Sequence, residues 1–363
     1  MKKFNSLKLG LTAGGIFLGA GYVSGQELWK FFAAFGTVGI PGRVLSLAVQ
    51  LVFTYMILWL GRYLENSSMD RMLIPDDSAV LHAAVSVIQM AFLFGVTVIM
   101  CAGAGALVNQ LLGIPAAIGG AVFCIIACMF AFKGIEGLSR ICSVLVPCMV
   151  AVGVLISVWA ISKQGIGAVF SMEYKNTSPL IPNWWISLLT YVSYNMLAAI
   201  GVLPALGIAA ADDKALRRGN FISVILLLII SVCIICALGV RPDSTSAELP
   251  MLALATELHP AVGWIYAALL ITGMMGTTVS FWLSASDFII GKLPRFRTKT
   301  RPIIAFIAAA AFAFSLLGFG DLVSTVYPIF GYLGFIFMAL LVRTYVKTKN
   351  SSPAKRNINH KNI

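Results

Sequence analysis

Uninterrupted apolar runs, most near twenty residues long, alternate with short polar or basic breaks along this chain. They fall at 9–36, 43–62, 83–109, 114–132, 141–162, 184–210, 219–240, 263–290, 302–319 and 320–346. At 1.5 Å of rise per residue, about 20 residues cross the ~30 Å hydrocarbon core of a bilayer. The pattern therefore predicts ten transmembrane helices. A β-barrel would instead alternate apolar and polar residues in segments of about ten. Only Gly318, Gly320 and Asp321 divide the last two runs. The first run follows a basic start, as a signal peptide does, but nine further runs follow and no A-x-A cleavage site precedes them, so it counts as a helix.

Composition agrees. Of the 363 residues, 59% are hydrophobic and 11% charged, against about 25% charged in soluble domains. The net charge of +12 could suggest nucleic acid, but its placement argues for topology. With the N-terminus in the cytoplasm, twenty-one Lys and Arg residues fall inside, from Lys2 and Lys3 through Arg62, Arg71, Lys214 and the Lys292–Arg301 cluster to the tail. Four fall outside: Arg43, Lys163, Lys175 and Arg241, with Lys30 inside the first run. This is the positive-inside asymmetry, with the basic residues held against anionic lipid. The expected setting is the plasma membrane, multi-pass, both termini cytoplasmic, with lipid and a small solute as partners and no nucleic acid. Residues 347–363 read as a disordered cytoplasmic tail.

All seven cysteines (101, 124, 128, 142, 148, 233 and 236) lie in apolar runs. Cys233 and Cys236 form a C-x-x-C with no His or carboxylate nearby, so small packing residues are the better reading than metal or redox chemistry. No disulfide is expected, and no cofactor beyond a coupling ion. His82, His259 and His360 are too scattered for a catalytic or metal cluster, and no nucleotide motif is present.

Two runs carry helix-breaking residues at mid-depth. The first contains Gly14, Gly15, Gly19, Gly21 and Gly25, then Ser24, Gln26 and Glu27, with its midpoint near Tyr22 and Val23. The glycines include G-x-x-x-G pairs that suit close helix packing. Polar groups beside them at the bilayer centre suit a discontinuous helix lining a site. The sixth run places Tyr191, Tyr194 and Asn195 at i, i+3 and i+4, followed by Gly201 and Pro204. Broken runs one and six lie five apart. An odd repeat inserts its second copy upside down, so the expected architecture is two inverted five-helix repeats, residues 1–162 and 184–346, joined by an extracellular connection at 163–183. Helices one and six are discontinuous in this all-α membrane fold.

Glu27 is the most informative candidate. It lies roughly 6 Å from the centre of its run by helix rise, where a carboxylate costs a few kcal/mol unless paired, hydrated or protonated. It could bind a cationic substrate group, carry a proton, or pair structurally with Lys30 at i+3. Gly21, Tyr22, Ser24 and Gln26 accompany it as candidate substrate-binding residues, facing Tyr191, Tyr194 and Asn195. The eighth run carries Gly273, Thr277, Ser280, Ser284 and Asp287 on one helical face. Ser284 reads as a hydroxyl bonded to its own helix. Asp287 reads as a cytoplasmic-end partner of Lys292 or Arg295. Residues 241–262 predict a short amphipathic helix at the outer face, capped by Thr245-x-x-Glu248 and closed by Pro260, either a lid or a passive surface helix.

The stretch GGIFLGAGYVSGQELWKFFAAFG at 14–36, together with YVSYN at 191–195, resembles YkvI-type bacterial membrane proteins. These resemble the amino acid/polyamine/organocation transporters. The resemblance implies a LeuT-like 5+5 fold and a secondary-active transporter of amino acids or similar solutes, rather than an enzyme. It also implies a sodium site between spans one and eight. The ligands would be carbonyls of Ala20 and Val23 and hydroxyls of Thr277 and Thr278, or of Ser280 if the register slips. Proton coupling through Glu27 is the alternative, and a transporter-like receptor subunit of the spore-germinant type is the alternative function.

Overall fold

The computed structural model describes residues 3–65, 73, 79–133, 138–292 and 300–359. The chain is all-α. In order the helices are α1 Ser6–Phe17, α2 Ala20–Val23, α3 Gln26–Phe31, α4 Gly39–Leu64, α5 Ala79–Leu112, α6 Ala116–Lys133, α7 Leu138–Gln164, α8 Trp184–Ile200, α9 Leu203–Ala209, α10 Asp213–Val240, α11 Pro250–Leu258, α12 Pro260–Lys292, α13 Thr300–Ser315 and α14 Phe319–Asn359. Six helices among the described residues are long and apolar enough to cross a membrane, or seven counting α8 and α9 as one bent span. Ala116–Phe132 and Thr300–Ser315 are shorter apolar helices.

Every predicted run coincides with helix. The boundary at 318 is real: α13 ends at Ser315, Gly318 is left-handed at φ 93°, and α14 begins at Phe319. The tail differs from expectation, since α14 continues as helix to Asn359. The basic loop at 293–299, Arg71 and the last four residues lie outside the described residues.

The broken segments are held in a cradle of long helices. α1 runs along α10, α4 packs against α8, α9 and α10, and α14 lies along α8. α5 packs on α6, α12 and α13. The close approach of α4 to α9 depends on glycine: a Cβ at Gly61 would run into the Pro204 carbonyl oxygen. At one end, Phe4 pairs with the α9–α10 junction through Phe4 N–H to Ala209 O (2.7 Å) and Ala211 N–H to Phe4 O (2.9 Å). Arg62 closes the same end on Asp213 (2.9 Å) and the Ala210 carbonyl (2.7 Å).

At the opposite end the expected short helix forms as α11, but the capping box does not. Leu249 is its N-cap, without a side-chain cap. Thr245 donates to Pro242 O, and Glu248 accepts from Gly320 N–H at the start of α14 (2.6 Å). The reason is competition: the exposed first turn of α14 offers Glu248 an unpartnered amide. The Gln110 amide pins Leu249 at both its N–H and its carbonyl (3.2 Å each). Arg241 bridges Asp243 and Glu257 (2.9 and 2.7 Å), which holds the Asp243 carboxyl below its ordinary range through hydrogen bonding.

Candidate functional site

The first run breaks where its glycines and polar residues meet. α1 stops at Phe17, the single turn α2 follows, and Gly25 takes φ 86° before α3 resumes at Gln26. A residue with a Cβ adopts that left-handed conformation at a cost, which glycine avoids. Buried backbone groups freed by a break must find partners, and here they do. Gly19 O accepts from the Tyr22 and Val23 amides, and Gly21 O from the Ser24 hydroxyl. Val23 O accepts from the Tyr266 hydroxyl of α12, and Ser24 O from Met251 N–H of α11 (2.9 Å). α11 is thus stitched onto the broken segment. In the sixth run α8 and α9 meet at a 57° bend after Ile200.

Glu27 and the tyrosines of α8 come together between these two breaks. Glu27, 5% exposed, accepts from the Tyr191 hydroxyl at Oε1 (2.8 Å). A Cβ built on Gly21 would lie 2.8 Å from Glu27 Oε2 and 3.4 Å from the Tyr327 hydroxyl, so glycine is what lets the backbone pack this closely on the carboxylate. The Tyr194 hydroxyl lies beside the same carboxylate but makes no hydrogen bond of good geometry. Tyr194 stacks on Tyr327 with centroids 4.7 Å apart, and Phe31 meets Tyr191 edge-on at 5.2 Å. The structural pairing of Glu27 with Lys30 is not what forms: among the described residues the carboxylate's hydrogen bond goes to Tyr191. Asn195 is buried and donates back to Tyr191 O (2.8 Å), which fixes the turn carrying the tyrosine. Gln26 is buried too, its Nε2 against Gly320 and its Oε1 without a partner.

Arg43 is the principal residue that sequence reasoning misplaced. Its place at the start of the second run had it counted only among the outer basic residues. It is instead fully buried on α4. Its guanidinium donates to Ser231 Oγ (3.0 Å), Ser46 Oγ (3.1 Å) and Tyr22 Oη (3.0 Å). Each hydroxyl commits its proton to a carbonyl: Tyr22 and Ser231 to Leu227 O, Ser46 to Arg43 O. Their lone pairs are then free to accept. The guanidinium also lies over the Tyr191 ring at 4.7 Å, a cation–π contact. Tyr22 therefore serves Arg43 rather than facing Glu27. The signal was available, since Arg43, Ser46, Gln50 and Thr54 repeat at i, i+3, i+7 and i+11, one polar face on a buried helix.

On α12, Thr278 is fully buried and its hydroxyl has no partner. Thr277 donates back to Gly273 O (3.1 Å) and Ser284 to Ser280 O (2.9 Å). α12 packs against α2. Of the expected carbonyl ligands, that of Val23 already accepts from Tyr266. The side chains of Ala20 and Asp287 lie outside the described residues.

No family model matches the chain. It is 26% identical over 344 residues to the protein named uncharacterized membrane protein YkvI of Bacillus subtilis (strain 168), covering 94% of this chain and 96% of that one. Among solved structures it resembles Mhp1 in an inward-facing conformation (TM-score 0.68, 11% identity, 94% of this chain and 76% of that one). It also resembles MhsT in complex with L-phenylalanine (0.66, 14%, 96% and 93%). A Na+-coupled sialic acid symporter matches as well (0.65, 16%, 93% and 79%). The fold is LeuT-like. The YkvI-type resemblance read from residues 14–36 extends over nearly the whole chain, and the chain is a multi-pass membrane protein. In this LeuT-like frame, Glu27 and Tyr191 belong to the two helical paths that are broken.

Proposed function

We propose that the protein is a secondary-active transporter that moves a small solute, of the amino acid kind, across the plasma membrane by alternating access. The observation that carries this reading is the buried hydrogen bond between Glu27 and Tyr191, a charged contact between two interrupted helices. A carboxylate in the membrane interior marks function by default, and broken helices place solute-binding groups at mid-depth. Glu27, Gly21, Tyr191, Tyr194 and Asn195 form the solute site. Gln26 and Ser24 border it on the α11 side, and Tyr22 ties it to Arg43.

The reading includes ten spans in two inverted repeats, residues 1–162 and 184–346, with both termini cytoplasmic. The matched structures supply the fold. One of them is a Na+-coupled sialic acid symporter. Coupling here runs either through sodium or through protonation of Glu27. For sodium, the unpartnered Thr278 hydroxyl beside α2 is the ligand that supports the site, with backbone carbonyls of Ala20 and Val23 and, at the edge, Thr277 or Ser280. Hydroxyl and carbonyl oxygens are hard ligands suited to such a cation. The test is flux: purified protein in proteoliposomes should accumulate a solute under an imposed Na+ or proton gradient. Specific binding without flux would instead favour a receptor of the germinant type.

A further inference from the structure

Two cysteines that take no part in the site described above meet each other. Cys101 on α5 and Cys124 on α6 are both buried, and the Cys124 thiol donates to the Cys101 sulfur at 3.2 Å. Both are free thiols. Their meeting follows from how the two helices pack. α5 ends at Leu112 and α6 begins at Ala116, so the pair forms an antiparallel hairpin. Glycines bring the two backbones together. A Cβ on Gly105 would run into the Ala116 carbonyl oxygen, and one on Gly120 would lie 3.4 Å from the Cys101 carbonyl oxygen. Those contacts set Cys101 level with Gly120, one turn of α6 away from Cys124. Each Cα–Cβ bond tilts toward the N-terminus of its own helix. In an antiparallel pair the two cysteines therefore lean into the turn that separates them, and their sulfurs close the offset.

We propose that Cys101 and Cys124 are a redox-sensitive pair, which a small uncharged peroxide converts into a disulfide stapling α5 to α6. The outer face of α6 exposes Val122, Ile125 and Met129, an apolar surface through which an uncharged oxidant passes and an ion does not. Cys124 is 6% exposed and Cys101 0%, so Cys124 reacts first. Its sulfur attacks one peroxide oxygen. The O–O bond breaks, and the other oxygen leaves with the thiol proton, as an alcohol from an organic hydroperoxide or as water from hydrogen peroxide. Cys124 is then a sulfenic acid, which condenses with a neighbouring thiol. The Cys101 sulfur attacks the sulfenic sulfur, the S–O bond breaks, and the hydroxyl leaves as water with the Cys101 proton. The two sulfurs give up two electrons in all, and the peroxide takes them. A disulfide forms without backbone movement only where the Cα atoms lie within about 7 Å, an approach that glycine against backbone allows between helices. The staple ties down α5, which also packs on α2 and on α8, the helix of Tyr191.

The experiment treats purified full-length protein in detergent with cumene hydroperoxide, an uncharged organic peroxide. The protein is then unfolded, alkylated and measured by intact mass, and the cross-linked peptides are mapped. Oxidised protein is expected to take up two alkyl groups fewer than the seven its cysteines allow, and to yield a peptide pair joining residues 101 and 124. Its melting temperature should rise by a few degrees, since a cross-link restrains the unfolded chain. Dithiothreitol should reverse both changes. Cys128→Ala should behave as wild type, and Cys124→Ala should show neither change. If Cys124→Ala fails to fold, Cys101→Ser removes the same bond and is read in the same way. Oxidation that maps to Cys128 or to Cys233 and Cys236 instead overturns the proposal. So do sulfinic acid in place of the disulfide, a cross-link accompanied by a fall in melting temperature, and a folded protein that keeps all its thiols.

Discussion

The Tyr191 hydroxyl donates a 2.8 Å hydrogen bond to Glu27 Oε1 across 164 positions of sequence. Both groups are buried, one beside the break after α2 and the other on the helix that bends at Ile200. The same tyrosine presents its ring face to Arg43 at 4.7 Å. One side chain thus stands between the two buried charges and keeps them from forming a direct ion pair. Glu27 remains available to a ligand or a proton.

Glu27→Gln should abolish uptake while leaving the protein folded, since it removes charge and keeps size. Lys30→Met should leave uptake near wild type, because the carboxylate bonds to Tyr191 instead of Lys30. Comparing initial uptake rates with gel-filtration profiles of the two variants checks both. Equal loss in the two would restore the i+3 ion pair as the role of Glu27.

Arg43 should matter for stability first. Arg43→Met leaves three buried hydroxyls without their donor and Glu27 without the nearby positive charge. A hydrogen bond to a charged group contributes about 1.5–3 kcal/mol, and three are lost here. A fall in melting temperature with poor expression is expected. Arg43→Lys keeps the charge but loses the planar three-way fork, and should be intermediate. A melting temperature unchanged in Arg43→Met would show that the cluster is dispensable.

Thr278 replaces Thr277 as the hydroxyl to test for sodium. Thr277 is bonded to its own helix and Thr278 is orphaned. If sodium is the coupling ion, Thr278→Val should sharply weaken Na+ dependence while Thr277→Val does so less. Uptake indifferent to replacing Na+ with choline, and sensitive to a protonophore, would reject the sodium site and leave Glu27 as the coupling residue.

Topology follows from charge. Reporter fusions after Lys175 and after Asp243 should read extracellular, and fusions after Lys214 and Lys299 cytoplasmic. A reversed pattern at either pair would undo the inverted-repeat reading.

Much of this was legible in advance for a physical reason. Backbone must be satisfied within a bilayer, so apolar runs have to be helices, and all ten runs are helical. Glycines beside Glu27 marked the first break, and the spacing of Tyr191, Tyr194 and Asn195 marked the facing wall. What stayed hidden was pairing between distant helices. Nothing near Tyr266, Ser231 or Gly320 in sequence says that they meet Val23, Arg43 and Glu248. Arg43 was misread because a basic residue near a run's edge usually anchors topology. The Cys101 and Cys124 thiols, 3.2 Å apart across α5 and α6, are a similar tertiary meeting.

The most direct measurement is uptake by proteoliposomes under imposed ion gradients, using labelled amino acids and both wild-type and Glu27→Gln protein. The account predicts concentrative uptake by wild type that collapses when the driving gradient is dissipated, and none by Glu27→Gln. Saturable binding of the same solute with no uptake under either a Na+ or a proton gradient would contradict it.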